Sequence, residues 1–573
     1  MTALYPRAGI ACALTLQCSN HFTPMRFSTI SANSLPILFV SIASIATASG
    51  QTTTSKLDPN EPLEKYNMPP AYIYRLGTSP RMISPYGSFT SYQVNVDAQG
   101  NNIVGDAANE PSIAVDPTDG NKMTIGWRQF NSVQSNFRQG GWGFTTDSGV
   151  TWTFPGVLEN NVFRSDPVLN SNETGNFFYL SLRETFYDDI WRSINGGNSW
   201  TRLTFGDVSG GDKQWFTIDR TNGPGHGFQY QAWSTSGNNF GGRQFSRSTD
   251  NGATWMNPIF LPSSPVWGTL DVDTNGNLFI GGASNFTSPF WCLRSSNAQN
   301  PAVTPTFDQV TQVSLGGDLD FGDPNGPNPG GLLGQLFLAV DRSGGPTNNN
   351  IYMIASVQPT GFTTGTDVMF VRSTDGGLTF SAPHRINDDA VNHNKWHWFG
   401  TLAVAPNGRI DSVWLDSRNA ANNIDSQLFY SYSTDGGVTW APNVPVSAPF
   451  TPLEGWPQQN KIGDYVTIVS DNTGGDVAYP ATFNFNPSTS QHEQDVYFVR
   501  VSPTGGPTPT PTATATPTAT ATPTATATPT ATATATPTAT ATTTPSATAT
   551  PRPTPTPRAG ATPRPRPTPG PRP

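Results

Sequence analysis

The sequence predicts an all-β chain: a β-propeller of seven blades, each of four antiparallel strands, with six blades as the alternative count. Three observations predict it. A short turn closing on an aromatic residue recurs five times, and an independent hairpin pattern recurs seven times. Glycine (55), proline (53) and aromatic residues (11%) are abundant while only 12% of residues are charged, a composition of short strands and tight turns rather than of long amphipathic helices.

The turn element reads TTDSGVTW from Thr145, SINGGNSW from Ser193, STDNGATW from Ser248, STDGGLTF from Ser373 and STDGGVTW from Ser433, with a degraded copy beginning at Ser295. Each follows an alternating strand. The acidic or amide residue (Asp147, Asn195, Asp250, Asp375, Asp435) can accept turn amides, the glycine two places on can take φ > 0, and the closing aromatic can pack under the loop. These copies resemble the Asp-box, or bacterial neuraminidase repeat, of the sialidase superfamily over roughly residues 88–506.

The second pattern consists of apolar strands running into and out of Asp/Asn-Gly turns, as in SIAVDPTDGNKMTIGW, LDVDTNGNLFIGG and LAVAPNGRIDSVWL. Each hairpin is expected to supply the two inner strands of a blade, and each repeat turn to join the two outer ones. The seventh hairpin is followed only by Asp495–Val501, so a fourth strand is missing there. The alternating segment 89–97 is expected to provide it and close the ring, leaving few exposed edges.

The flanks read differently. Arg26, an apolar run from Leu35 to Ala46 and the small residues after it follow the order of a secretory signal starting at Met25, so residues 1–48 are expected to be removed and the protein to be secreted or held at the cell surface. That run is too short to span a membrane. Cys12 and Cys18 would leave with it, so Cys292 would remain alone, without a disulfide partner. Residues 49–87 read as an extended leader around the outside of the domain. Residues 507–573, Pro/Thr/Ala repeats, read as a disordered, partly polyproline tail suited to tethering at a surface. Five arginines fall in that tail with no acid, so the body is more acidic than the overall net charge of −9, which argues against nucleic acid as a partner.

Strand polarity sorts the candidate site residues. First strands begin and second strands end at one rim, while the repeat turns lie at the other. The turn acids are therefore read as structural, and the opposite rim is expected to collect a polar set: Glu110, Arg128, Asp166, Arg183 with Glu184, Asp212 with Lys213, Asp271, Lys395 with His397, Asp416 with Arg418, and Asp464 with Tyr465. The sialidase resemblance implies an arginine clamp on a substrate carboxylate (Arg128, Arg183, Arg418), a phenol (Tyr465) and carboxylates for acid/base work (Asp166, Asp212, Asp416, with Asp464 beside the phenol). The Arg-Ile-Pro motif of that family is absent. Asp318, Asp320 and Asp323 in the loop Gly317 to Gly331 could offer oxygen ligands to Ca²⁺, although a plain surface loop is the stronger reading. His393 and His397 have no cysteine partner, and no metal is assigned.

Three functions compete for a glycan or polysaccharide partner: glycoside hydrolysis by paired carboxylates, non-catalytic glycan or protein binding, and a polysaccharide lyase using His397, Tyr465 and Lys213. Geometry discriminates between them. Two carboxyls about 5–10 Å apart across an open funnel favour hydrolysis, whereas rim charges that are all paired and covered favour binding or scaffolding.

Overall fold

A computed structural model describes Glu64 and residues 66–69, 77–203 and 208–504. The segment 1–48, expected to be a secretory signal, and the Pro/Thr/Ala tail lie outside the described residues. Among the described residues no helix is long and apolar enough to cross a membrane.

Seven antiparallel sheets are arranged as propeller blades, their strands running outward from the axis in chain order except in the seventh, whose outer strands come from the start of the domain. Blade one, for example, is Ala107–Val115, Met123–Phe130, Gln139–Thr145 and Thr153–Val157. Each inner strand packs on the next around the ring, and the last, Thr467–Ser470, packs on the first. Hydroxyls fasten these inner strands together: Ser112 Oγ accepts Leu169 N–H (2.9 Å), Thr467 Oγ1 accepts Ile113 N–H (3.0 Å) and Thr269 Oγ1 accepts Leu338 N–H (2.8 Å). Hydrophobic core fills the spaces between blades, as where Trp398, Val413 and Tyr430 of blade six meet Val477, Tyr479 and Tyr497 of blade seven. Gly126 shows how close the sheets come: a Cβ there would lie 2.5 Å from Leu169 Cδ1 and from the Tyr179 ring.

The ring closes as the alternation predicts. Phe89–Gln93 pairs antiparallel with Asp495–Val501, Tyr92 facing Phe498, and Val94 N–H continues the ladder to Val496 O at 2.9 Å. Ile83–Tyr86 adds a fifth, outermost strand to this blade. The leader therefore enters the sheet earlier than residue 88. Blade three departs from the four-strand pattern, its outermost strand reduced to a bridge between Phe245 and Ile259.

The repeat turns share one hydrogen-bond pattern. In the last copy Asp435 Oδ1 accepts Thr439 N–H (2.9 Å) and Ser433 Oγ–H (2.8 Å), Oδ2 accepts Thr439 Oγ1–H (2.6 Å), and Ser433 Oγ accepts Gly437 N–H. Against partial desolvation, which raises it, these donors hold the Asp435 carboxyl down at about 2. Asp435→Ala is expected to destabilise the domain by about 1–2 kcal/mol while leaving ligand affinity unchanged. Thermal denaturation beside a binding titration checks this.

Candidate functional site: the two ends of the axis

A repeated backbone irregularity shapes the mouth opposite the repeat turns. Glu110, Asp166, Lys213, Trp267 and Phe399 occupy the same place in five blades, six residues before Asp116, Asn172, Asp219, Asp273 and Ala405, and all have positive φ, from 45° to 58°. Left-handed backbone costs a non-glycine residue about 1–2 kcal/mol, and such strain clusters where a side chain must be aimed. The pairing register shifts here in three of these blades, a β-bulge that re-aims the residue.

Three of these residues meet at the axis. Lys213 Nζ lies 2.9 Å from Asp166 Oδ1, 2.7 Å from Asp464 Oδ2, 3.3 Å from Glu64 Oε1, 3.7 Å from Glu110 Oε1 and 3.9 Å from Asp212 Oδ1. Arg128 Nε pairs with Glu110 Oε2 (2.8 Å) and its Nη1 with Glu64 (3.1 Å); Lys461 Nζ pairs with Asp464 (2.6 Å) and Glu64 (3.4 Å); Arg138 also pairs with Glu64. All of these residues are buried. Glu64, Glu110, Asp166 and Asp464 lie close enough together to hold a metal ion, but the Lys213 ammonium reaches all four.

Burial and the cations divide the protons. Burial pushes the Glu110 carboxyl up to about 8 against Arg128 and Lys213, whereas Lys213 holds Asp166 and, together with Lys461, holds Asp464 below the usual range despite their burial. A protonated Glu110 can donate to Asp464. Desolvation brings Lys461 down to about 8. For Glu110, burial is a larger cause of the rise than repulsion from Asp166 and Asp464. Tyr465 is buried and donates its hydroxyl to Pro167 O at 2.8 Å.

Of the sequence candidates, Asp271, expected at this rim, lies in the other half of the axis, whereas Glu110, Arg128, Asp166, Asp212, Lys213 and Asp464 converge here. Arg183, Asp416 and Arg418 do not. Arg183 faces Glu184 and Asp189 of its own blade at 3.8 and 3.9 Å. Arg418 pairs with Asp416 (2.8 Å) and Asp388 (2.7 Å), in a cluster where His397 donates Nδ1–H to Thr366 O and sets Nε2 3.1 Å from Asp389. The three arginines therefore assemble no clamp, and His397 does not join Tyr465 and Lys213. Sequence reading missed Glu64, Arg138 and Lys461. Lys461 had a signal, standing three residues before Asp464; Glu64 departs from the expectation that the leader wraps only the outside. The Gly317 to Gly331 loop is bound onto blade seven, through Gly330 N–H to Asn460 O (2.7 Å) and, just beyond it, Leu332 N–H to Asp464 Oδ1 (2.8 Å). Asp320 and Asp323 each accept a backbone amide of that loop, from Phe321 and Asn325, and Asp318 lies in a short strand paired with Gln358.

The other half of the axis holds a cavity of about 670 Å³ lined by the inner strands of all seven blades. Small side chains make room for it. Ala114, Asn170, Thr217, Asp271, Ala339, Ala403 and Val469, one per blade, all line it. Blades two to four contribute the polar members of this layer; the rest are apolar. The half-buried Trp215 also lines it, its ring edge-on to Phe337 (5.4 Å) and Tyr465 (5.2 Å). At the rim Arg342 pairs with Asp271 at 2.5 Å and Arg220 donates to Asn170.

No protein-family model matches the sequence, and no curated protein matches it. Solved structures do. The chain is similar to a protein of unknown function from Dyadobacter fermentans (13% identity, 72% of this chain and 97% of that one, TM-score 0.38). It is also similar to the GH93 α-L-arabinofuranosidase of Fusarium graminearum in complex with arabinobiose (12% identity, 74% and 98%, TM-score 0.35) and to the phage phi92 endosialidase (9% identity, 72% and 69%, TM-score 0.39).

Proposed function

We propose that the chain is an exported propeller that binds a saccharide, without cleaving it, in the axial cavity on the repeat-turn side. The observation that carries this reading is the amphipathic lining: an apolar arc from blades five, six, seven and one for the C–H face of a sugar ring, faced by the amide, hydroxyl and Asp/Arg pair of blades two to four for its hydroxyls, with the Trp215 indole on the same strand as Thr217. Each cavity carboxylate has a partner. Asp116 accepts the Thr118 amide (2.8 Å), Asp271 holds Arg342, and Asp471 and Asp476 hold Arg500 at 2.7 and 2.9 Å. The charges of the axial cluster at the far mouth are paired and covered, the arrangement that favours binding over hydrolysis.

Calorimetric titration with neutral and acidic oligosaccharides tests the reading. Ala339→Phe, which fills the cavity, is expected to weaken binding at least tenfold with the melting temperature retained, and the parent protein to release no reducing sugar. Binding untouched by Ala339→Phe would remove the cavity from consideration. Hydrolysis is the second reading, favoured by a protonated Glu110 beside ionised Asp166 and Asp464; turnover by the parent that is lost in Glu110→Gln would establish it in place of the first.

A further inference from the structure

We infer that the mouth opposite the repeat turns is a receptor for a carboxylate, and that the leader's own Glu64 is its tethered, displaceable occupant. This site is separate from the axial cavity and does not rest on the saccharide reading.

Four cations surround the Glu64 carboxylate, drawn from three blades: Arg128 and Arg138 from blade one, Lys213 from blade three and Lys461 just ahead of blade seven. Ser165 Oγ–H adds a donor at 2.8 Å. Every one of these side chains is buried, so the pocket is built rather than a chance surface encounter, and buried charge of one sign demands a partner.

The origin of the carboxyls identifies that partner. The blades supply Glu110, Asp166, Asp212 and Asp464 to the cluster, and Glu64 is a fifth, brought in by the leader. It is also the one that faces all four cations. The next described residues of the leader are less covered. Tyr66, which packs edge-on against Phe163 at 5.4 Å, is 48% exposed, and Met68 is 66% exposed. Among the described residues 64–69 the Glu64 carboxylate is the group held by charge, and another carboxylate can compete for the same place.

The test uses the full chain with Glu64→Ala, and acetate as the smallest probe. The variant is expected to melt several degrees below the parent and to regain that loss as acetate rises into the millimolar range, since a ligand of the folded state stabilises in proportion to ln(1 + [L]/Kd). Acetamide and chloride at the same concentration should do nothing. Glucuronate forms a second arm: rescue by it as well as by acetate would name an acid sugar as a source of the carboxylate, and rescue by acetate alone would restrict the receptor to smaller acids. A melting temperature that ignores both acids overturns the inference, because the cluster would then have neutralised itself by ionising Glu110. Should the variant not fold, the parent protein answers the question through tryptic cleavage after Lys65. Cleavage that accelerates with acetate but not acetamide supports displacement of Glu64, and a rate that stays constant overturns it.

Discussion

Lys213→Met is expected to destabilise the folded domain by about 3–5 kcal/mol, the usual cost of removing one partner from a buried ionic cluster. Methionine keeps the length and apolar stem of lysine, so little packing is lost. What disappears is the ammonium that lies within 3.3 Å of Asp166, Asp464 and Glu64. In the parent, Asp166 and Asp464 are held below their ordinary values; they therefore contribute stability that is present above about pH 4 and is lost as the pH falls. Without the ammonium, burial raises both carboxyls, and a raised folded-state value contributes stability at low pH that is lost as the pH rises. The gap between parent and variant should therefore be larger at pH 8 than at pH 5. Denaturant unfolding at the two values measures it. A difference below about 1 kcal/mol, or one that does not change with pH, would show that Lys213 does not hold the cluster together.

Val94→Pro is expected to cost about 3 kcal/mol or more, and to cost it in a particular way. The substitution removes the bond from Val94 N–H to Val496 O, 2.9 Å long, directly after the strand that closes the ring. Val94 is also fully buried, in a core with Trp127, Val496 and Phe498. Losing this strand turns Asp495–Val501 into a free edge, which invites pairing with other molecules. The expected results are a lowered denaturation midpoint and concentration-dependent aggregation, which light scattering would detect. A monomeric variant with parental stability would mean that closure through Phe89–Gln93 contributes little.

Much of the architecture is local in origin and so could be read directly. An Asp or Asn, a Gly two places on and a closing aromatic specify a turn within eight residues, and the same hydrogen bonds recur at Asp147, Asp250, Asp375 and Asp435. The closing strand followed from counting, because the last hairpin was one strand short. Strand polarity likewise carried Arg128, Asp166, Asp212 and Asp464 to one mouth. It could not separate them from Arg183, Asp416 and Arg418, which share that rim but pair elsewhere, since polarity sets the end of a strand and not the direction of its side chain. The positive-φ backbone that aims Glu110, Asp166 and Lys213 leaves no glycine to announce it.

Alternation, turn chemistry and strand count thus determined the blades and their closure from the sequence alone, because each depends on residues close together in the chain or on a simple periodicity. Tertiary structure alone decided that Glu64 enters the axis and that the charges gathered around it are covered. It also decided that small residues from seven blades leave an open cavity at the opposite end. Those features join residues up to 397 positions apart, and their energies come from desolvation and charge balance, which no local pattern encodes.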